Sequence, residues 1–225
     1  MAQLVPALPK KWPEASILAL TCCLVWPVPT AAADLVQAFA SDRQGAGPAA
    51  LSLARAAFDA YALRRERLSV PENLPPLLRQ RGGVFVSAVA KGAPRCCMGS
   101  LYPTRANLAE EIVAAAVAAA GLDARRAPVK PAELPRLQLV VSIVSPPEGI
   151  TDPAVLDPVT EGLAVRSARR TGVVLPGETT HLDRMIKWAR IRAGAEPDEE
   201  VDYFRVRAFR IAEPNPAARE GVGEG

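Results

Sequence analysis

Histidine, cysteine and aromatic residues are scarce in this chain of 225 residues: it has one histidine and four cysteines, and Phe, Trp and Tyr together make 5%. Structural zinc sites take four ligands, mostly Cys and His, at short and regular spacings, and no such pattern occurs. Four cysteines are also few for a disulfide framework, which small secreted domains use in place of a core. The sequence therefore predicts no metal site and a fold stabilised by its hydrophobic core.

A strong excess of charge and the common cofactor motifs are missing too. Lys and Arg number 27 and Asp and Glu number 24, so the formal net charge is only +3. Proteins that bind nucleic acid usually carry a larger basic excess on one face. The sequence has no P-loop, no G-x-S-x-G elbow and no H-E-x-x-H. We expect neither a nucleic acid partner nor a resident cofactor.

The first 33 residues have the pattern of a cleaved export signal. Lys10 and Lys11 are followed by an apolar run at 16–26, and Ala31-x-Ala33 supplies small residues before Asp34. The run is shorter than the roughly 20 residues of a transmembrane helix, so no stable membrane anchor is expected after cleavage. The predicted location is periplasmic or secreted. If the start codon is misplaced, the protein is cytoplasmic.

The rest of the chain divides into three parts by composition. Residues 34–47 show little pattern and are predicted to form a flexible leader. Residues 48–213 carry regular hydrophobic periodicity and are long enough for a folded domain with a sizeable core. Residues 214–225 are rich in Pro, Gly and Glu, which is typical of a disordered tail.

Helices and hairpins are mixed in the middle part without regular βα alternation. Helical spacing occurs in three stretches, at 48–67, 108–120 and 181–193. Alternating or β-branched stretches occur at 79–105 and 163–175, predicted as hairpins, and at 137–144 and 201–211, predicted as single strands. Asn107 and Thr180 are the expected N-caps of the second and third helices. This mixture predicts an α+β fold with a mainly antiparallel sheet flanked by helices.

The most reactive side chains lie in the second strand of the hairpin at 79–105. Residues two apart in a strand share a face, so Arg95, Cys97 and Gly99 are expected on one face and Cys96 on the other. A guanidinium beside a thiol stabilises the thiolate, which makes Cys97 the candidate nucleophile and Arg95 its candidate stabiliser. The alternative is that Cys97 is a small buried apolar residue.

Cys96 and Cys97 are also a candidate redox pair. Neighbouring cysteines close a disulfide only with backbone strain, and an oxidising compartment favours it. The sequence leaves open whether the two are joined or free. His181 is a conceivable base for Cys97, although a lone histidine at a helix start is more often solvated.

The same stretch resembles a family signature. Residues 95–104, RCCMGSLYPT, resemble the Leu-Arg-Gly-Cys-Ile-Gly-Thr-Leu-x-Pro-Thr signature of the AMMECR family, whose bacterial and archaeal members are called protein A of the AmmeMemoRadiSam set. Five more segments are similar to that family's motifs and follow in its order: 81–87, 131–135, 141–148, 162–166 and 172–176. Cys96 stands where the family has glycine, which puts a side chain where a ligand would approach the backbone.

The resemblance covers residues 48–213 and implies an antiparallel sheet flanked by helices, with a small second lobe. It implies a pathway shared with a Memo-type protein and a radical-SAM enzyme, which are candidate partners, but no settled activity. Asp123 and Arg125 match the family's Asp-Pro-Arg-Phe and join Gly99 as candidate binding residues. A surface salt bridge is the alternative for the Asp-Arg pair.

Two classes of function are therefore predicted. In the first, Arg95, Cys97 and Gly99 build a pocket that binds a small molecule or reacts through the Cys97 thiolate. In the second, a non-enzymatic adaptor presents its sheet, or the basic helix at 181–193, to a Memo-type or other partner. A degenerate paralogue with neither role is a third hypothesis, so whether the protein is an enzyme stays open.

Overall fold

The computed structural model describes residues 34–216. The predicted export signal and residues 217–225 of the predicted tail lie outside the described residues. Within 34–216, no helix combines the length and the apolar character needed to cross a bilayer.

Helices and strands alternate irregularly along the described chain. The α-helices are α1 (Leu35–Ser41), α2 (Ala46–Arg64), α3 (Leu108–Gly121) and α4 (Leu182–Ala193). Short 3-10 helices lie at Pro76–Arg79, Pro131–Arg136 and Pro153–Val155. The strands are β1 (Gly83–Ala90), β2 (Ala93–Ser100), β3 (Leu137–Val144), β4 (Glu148–Ile150), β5 (Gly162–Arg166), β6 (Thr171–Val174), β7 (Asp202–Val206) and β8 (Ala208–Ala212).

The strands form two four-stranded sheets, ordered β2-β1-β3-β8 and β4-β7-β5-β6. Every strand pair is antiparallel. The predicted α+β class and both predicted hairpins, β1–β2 and β5–β6, are therefore confirmed. Strands β2 and β8 are the edges of the first sheet, and β4 and β6 are the edges of the second.

The main core lies between the first sheet and helices α1 to α3. Alternate residues of β3, including Leu139, Val141 and Ile143, enter it together with Phe58 of α2 and Ile112 of α3. Helix α3 is rich in alanine and almost wholly buried, so it packs closely on its neighbours. Its last residue, Gly121, lies against the Tyr61 ring, which an added Cβ would approach to 2.4 Å.

The second sheet and α4 form the smaller lobe, with an apolar cluster of their own. Leu163 and Val165 of β5 pack there on Met185 and Ala189 of α4. A third cluster joins the two sheets. Val144 of β3 and Leu101, which follows β2, pack there with residues of the second sheet and the segment after β6: Ala164, Leu175 and Val206. The layers therefore run helices, sheet, sheet, helix.

The predictions for residues 34–47 and 201–211 need correction. Residues 34–47 contain α1, whose Phe39 is fully buried and stacks on Phe209 at 5.7 Å between ring centroids, so this segment is not a flexible leader. The predicted strand at 201–211 is two strands in different sheets, because the chain crosses from the second sheet to the first at Arg207.

The predicted helix caps had mixed outcomes. Asn107 caps α3 as expected, and its side chain accepts from the Glu110 amide at 2.9 Å. Helix α4 begins after His181, and the hydroxyl that accepts from the His181 amide belongs to Thr179, not to Thr180. Gly194 ends α4 in the left-handed conformation, at φ 66°, as a C-terminal glycine commonly does.

Candidate functional site

The two neighbouring cysteines project to opposite faces of β2, as the alternation predicted. Cys96 is buried in the main core, 4% exposed. Cys97 lies directly opposite Ser87 of β1 and lines a cleft on the other face. Both thiols are free. The disulfide that the sequence left open is therefore not formed in this structure, and the redox assignment of Cys96 and Cys97 stays a prediction.

An ion pair holds the backbone of Cys97 at the outer side of β2. Because β2 is an edge strand, the Cys97 amide and carbonyl have no strand partner on that side. The amide donates to Asp123 Oδ2 at 3.3 Å, and the carbonyl accepts from Arg125 Nη2 at 2.6 Å. Arg125 also binds Asp123 through two N–H groups, at 2.8 and 2.9 Å. The pair thus replaces a neighbouring strand at this position.

Asp123 is buried, so the surface salt bridge considered from the sequence is the wrong description of this pair. Its side chain is 4% exposed, although that of Arg125 is 54% exposed. Burial opposes ionisation, but the donors of Arg125 and the Cys97 amide outweigh it and hold the pKa of Asp123 below its ordinary value. Asp123 therefore stays a carboxylate at neutral pH.

A second ion pair holds the end of β6 in the same way. Arg192 of α4 donates to Glu178 Oε2 at 2.7 Å and also to the Val173 carbonyl. Glu178 accepts from the Leu175 amide at 2.7 Å. At β2 and at β6, a separate Arg–carboxylate pair therefore forms hydrogen bonds with backbone groups at the sheet edge.

A cleft lies between these two edge strands and consists of two adjoining pockets. We call them the apolar pocket and the arginine pocket; both include Cys97, Arg125, Glu178 and Arg192 in their walls. The apolar pocket, of about 370 Å³, is further lined by residues of β1, β2 and β6 and the segments after them, chiefly Phe85, Leu101, Tyr102, Val173 and Leu175. The arginine pocket, of about 230 Å³, is further lined by Pro94, Arg95, Cys96, Asp123 and Arg126.

The Cys97 thiol is not activated in the predicted way. Burial has the largest effect and raises the pKa of the Cys97 thiol, and the charge of Glu178 adds to it. Ser87 and the guanidinium groups of Arg192 and Arg125 act in the opposite direction but do not outweigh burial. The predicted lowering of the Cys97 pKa therefore has no support in these surroundings, and the role of Cys97 as a nucleophile stays a prediction.

Arg95 binds Glu133 and not the Cys97 thiol. Its Nε and Nη2 groups bind Glu133 at 2.7 and 3.1 Å, and Nη2 also donates to the Ala127 carbonyl at 3.0 Å. The hydrogen bond to Glu133 raises the pKa of Arg95 and lowers that of Glu133. Arg95 therefore anchors β2 to the segment before β3, and the role of thiolate stabiliser predicted for it has no support in these contacts.

Gly99 lines the cleft, but its lack of a side chain has a packing cause. A Cβ built there would lie 2.1 Å from the Val84 carbonyl oxygen and 2.6 Å from Phe85 Cα. The close approach of β1 and β2 therefore requires glycine at this position, whether or not a ligand contacts it.

Comparison with known proteins identifies the domain that carries this cleft. Residues 51–213 match the family model described as AMMECR1. The chain belongs to the AMMECR1 family. A protein of Thermotoga maritima is 39% identical over 147 residues, which are 63% of this chain and 82% of the relative. A protein of Methanothermobacter thermautotrophicus is 32% identical over 176 residues, which are 72% of this chain and 91% of the relative.

A solved structure has the AMMECR1 fold described above. The crystal structure of an uncharacterised protein from Pyrococcus horikoshii is similar, with a TM-score of 0.69 and 28% identity over 76% of this chain and 93% of that one. The family resemblance inferred from motifs is confirmed by these matches.

The AMMECR1 signature motifs meet one another in the fold. Arg95 of the first motif binds Glu133 of the Pro-x-Glu-Leu-Pro motif. Thr104, the last residue of the first motif, donates from its amide and hydroxyl to Glu111 of α3, which also accepts from the Arg105 amide. Several motif residues therefore fix the loop before α3 and the position of β2.

Sequence reasoning identified neither Arg192 nor Glu178 as a residue of the AMMECR1 cleft. Arg192 belongs to the basic helix predicted at 181–193, and only the packing of α4 on β6 brings it to the cleft. Gly172 permits that packing, since an added Cβ would lie 2.2 Å from the Ala189 carbonyl oxygen. Glu178 follows the Leu-Pro motif closely, and this was the only sequence signal for it.

Two further sequence predictions concern His181 and metal binding. His181 is exposed at the start of α4 and does not line either pocket of the cleft. In the part of the AMMECR1 domain that the structure describes, no group of three or more His, Cys, Asp or Glu side chains is placed to hold a metal ion.

Proposed function

We propose that the cleft between β2 and β6 binds a small organic molecule without covalent chemistry. The observation that carries the proposal is a cleft of two pockets that share Cys97, Arg125, Glu178 and Arg192, so that apolar and charged side chains line one site. Ligand sites are usually concave and mostly apolar, with a few polar groups that fix orientation. Their usual volumes, about 300 to 1,000 Å³, include that of the apolar pocket.

Binding is favoured here over reaction through the Cys97 thiolate. A nucleophilic cysteine needs a lowered pKa or an adjacent base. Burial raises the pKa of Cys97 instead, and the single histidine of the sequence, His181, lies outside the cleft. Cys97 therefore contributes a small, polarisable surface to the site and not a nucleophile.

A thermal-shift screen of small metabolites against the full chain tests the proposal. Thr171→Trp fills the apolar pocket from an exposed position, whereas Thr180→Trp places the same ring at an exposed position that lines neither pocket. A compound that raises the Tm of the wild type and of Thr180→Trp, but not of Thr171→Trp, supports the proposal. If no compound does so, or if Thr171→Trp responds like the wild type, the cleft is not a ligand site.

A second candidate function is the adaptor, and the exposed face of α4 favours it. Trp188 is 36% and Ile191 60% exposed, and Arg184 and Lys187 lie beside them on the same helix. Arg190 does not belong to this face, because its guanidinium binds the carbonyls of 196, 197 and 199. The partner in this proposal is a Memo-type protein or a radical-SAM enzyme, as the family resemblance implies.

Co-purification from the native host separates the two candidates. Lys187→Glu should abolish a complex made through α4 and leave one made through the cleft intact. Thr171→Trp should do the reverse. If the Lys187→Glu variant captures a Memo-type protein as well as the wild type does, the proposal that α4 is the adaptor surface is contradicted.

Export of the mature protein is a separate proposal, supported by the N-terminal sequence pattern. The intact mass of the protein from its own host tests it. A chain that starts at Asp34 supports export, and a chain that keeps residues 1–33 contradicts cleavage.

A further inference from the structure

The charges of the arginine pocket do not balance. Three of its four guanidinium groups have a carboxylate partner: Arg95 binds Glu133 at 2.7 Å, Arg125 binds Asp123 at 2.8 Å and Arg192 binds Glu178 at 2.7 Å. The fourth belongs to Arg126, which is exposed and forms no ion pair with any residue of 34–216. The pocket therefore carries about one positive charge in excess.

Arg125 and Arg192 each keep N–H donors that their ion pairs do not use. A guanidinium carries five N–H donors. Arg125 uses Nε and Nη2 for Asp123 and the Cys97 carbonyl, and Arg192 uses Nη1 and Nη2 for Glu178 and the Val173 carbonyl. Within the described chain, Arg125 Nη1 and Arg192 Nε have no hydrogen-bond acceptor. A ligand with acceptor atoms can use both.

Beside its polar groups, the adjoining pocket offers apolar surface to the same ligand. Phe85, Val173 and Leu175 supply its apolar surface. The Ser100 hydroxyl, a polar group in this wall, already donates to the Tyr102 carbonyl at 2.7 Å. An inorganic anion would leave this apolar surface uncovered, and a neutral apolar molecule would leave the guanidinium donors without acceptors.

We infer that the ligand of the cleft is an organic monoanion, a carboxylate joined to an aliphatic or aromatic group. The inference deepens the proposed function and rests on it. The carboxylate lies in the arginine pocket, where Arg125, Arg126 and Arg192 face it, and the apolar group covers the wall formed by Phe85 and Leu175. One excess positive charge matches one carboxylate, and charge-assisted hydrogen bonds fix its orientation.

Calorimetric titration of the full chain with matched probes tests the inference. Octanoate, octanamide and inorganic phosphate differ in charge and in apolar body. We expect octanoate to bind about tenfold or more tightly than octanamide, because hydrogen bonds to a charged group contribute more than neutral ones. Octanoate binding should weaken as salt is added. Phosphate should bind more weakly than octanoate.

Two arginine variants make the test specific to the pocket. Arg126→Gln removes the unpaired charge from an exposed position, so the fold should persist and octanoate affinity should fall about twofold to fivefold. Octanamide affinity should not change. Arg136→Gln removes an equally exposed charge outside both pockets and should change neither.

The outcomes separate this inference from the proposed function. If octanamide binds as tightly as octanoate and Thr171→Trp abolishes both, the cleft is a ligand site and the anion inference is wrong. If phosphate binds as tightly as octanoate, the apolar body has no role and the inference is also wrong. If octanoate binds Thr171→Trp like the wild type, the binding is elsewhere, and the inference and the proposed function both lose their support.

Discussion

Hydrogen bonds of its backbone, more than contacts of its thiol, hold Cys97 in place. Its amide and carbonyl are both held by the pair Asp123 and Arg125, at 3.3 and 2.6 Å. The thiol only faces the cleft, where it lies opposite Ser87. A buried carboxylate, Asp123, therefore helps to hold the wall of the cleft at Cys97.

Asp123→Asn should lower the free energy of unfolding by about 1 to 3 kcal/mol at neutral pH, the usual cost of leaving buried hydrogen-bonding groups badly matched. Asp198→Asn, an exposed carboxylate in a loop, should change it by less than about 0.5 kcal/mol. Chemical denaturation of the three proteins at pH 7 measures both values. Equal stability of Asp123→Asn and the wild type would show that the pair does not hold β2.

The stability due to Asp123 should also depend on pH. The folded protein holds the pKa of Asp123 below its ordinary value, which is about 3.9 in an unfolded chain. The contribution is therefore complete above the unfolded pKa and is lost as pH falls through the folded pKa. Denaturation curves should show the gap between the wild type and Asp123→Asn narrowing below about pH 4; a gap that widens there would contradict the assigned interaction.

The two cysteines should react with iodoacetamide at very different rates in the folded protein. Burial raises the pKa of Cys96 to about 11 and also raises that of Cys97. Cys97, which faces the cleft, should be alkylated slowly at pH 7. Its alkylation should become faster as pH rises above the ordinary pKa of a cysteine thiol, because the thiolate is the reactive form. Cys96 should stay protected until unfolding. Peptide mass mapping assigns each site, and rapid alkylation of Cys97 at pH 7 would restore it as a nucleophile.

At the scale of elements, the pairing of β1 and β2 depends on a glycine. Gly99→Ala puts a Cβ 2.1 Å from the Val84 carbonyl oxygen, so the strands must separate, at a cost of about 1 to 3 kcal/mol. Gly149→Ala, in β4, meets nothing within 4 Å and should be nearly neutral. Thermal unfolding of both variants measures the difference. A Gly99→Ala variant as stable as Gly149→Ala would mean that β2 adjusts without strain.

Helix α1 should behave as part of the domain. Phe39→Ala empties a site in the main core and should cost about 3 to 5 kcal/mol, whereas Gln37→Ala changes an exposed side chain of the same helix and should cost less than about 1 kcal/mol. Denaturation midpoints give both values. A small effect of Phe39→Ala would restore the flexible leader that the sequence predicted.

The contrast between α1 and α3 shows what periodicity can predict. Helix α3 has 14 residues, a side-chain cap at Asn107 and a nearly continuous apolar pattern, so its sequence alone identified it. Helix α1 has seven residues, too few to show a periodic pattern, and its one fully buried anchor is Phe39. The break between β7 and β8 at Arg207 was missed because apolar residues at 204, 206 and 208 alternate across it, and the phase shifts only at Phe209, which packs in the main core.

At the scale of the whole molecule, the cleft combines elements that are distant in the chain. Cys97 and Asp123 come from the part of the chain before β3, whereas Glu178 and Arg192 come from the second sheet's lobe. Alternation along β2 predicted the face of Cys97 correctly. It could not predict which cations meet that face, since this depends on how α4 packs on β6 and on Glu133 engaging Arg95.

The ion pairs at β2 and β6 have a consequence for solubility. An open sheet edge is a template on which a second chain can add a strand, and such pairing is a common start of aggregation. Here the Cys97 amide and carbonyl, the Val173 carbonyl and the Leu175 amide already have side-chain partners. A foreign strand would have to displace one ion pair before it could pair at either edge, so the cleft can stay open to solvent without becoming a site of self-association.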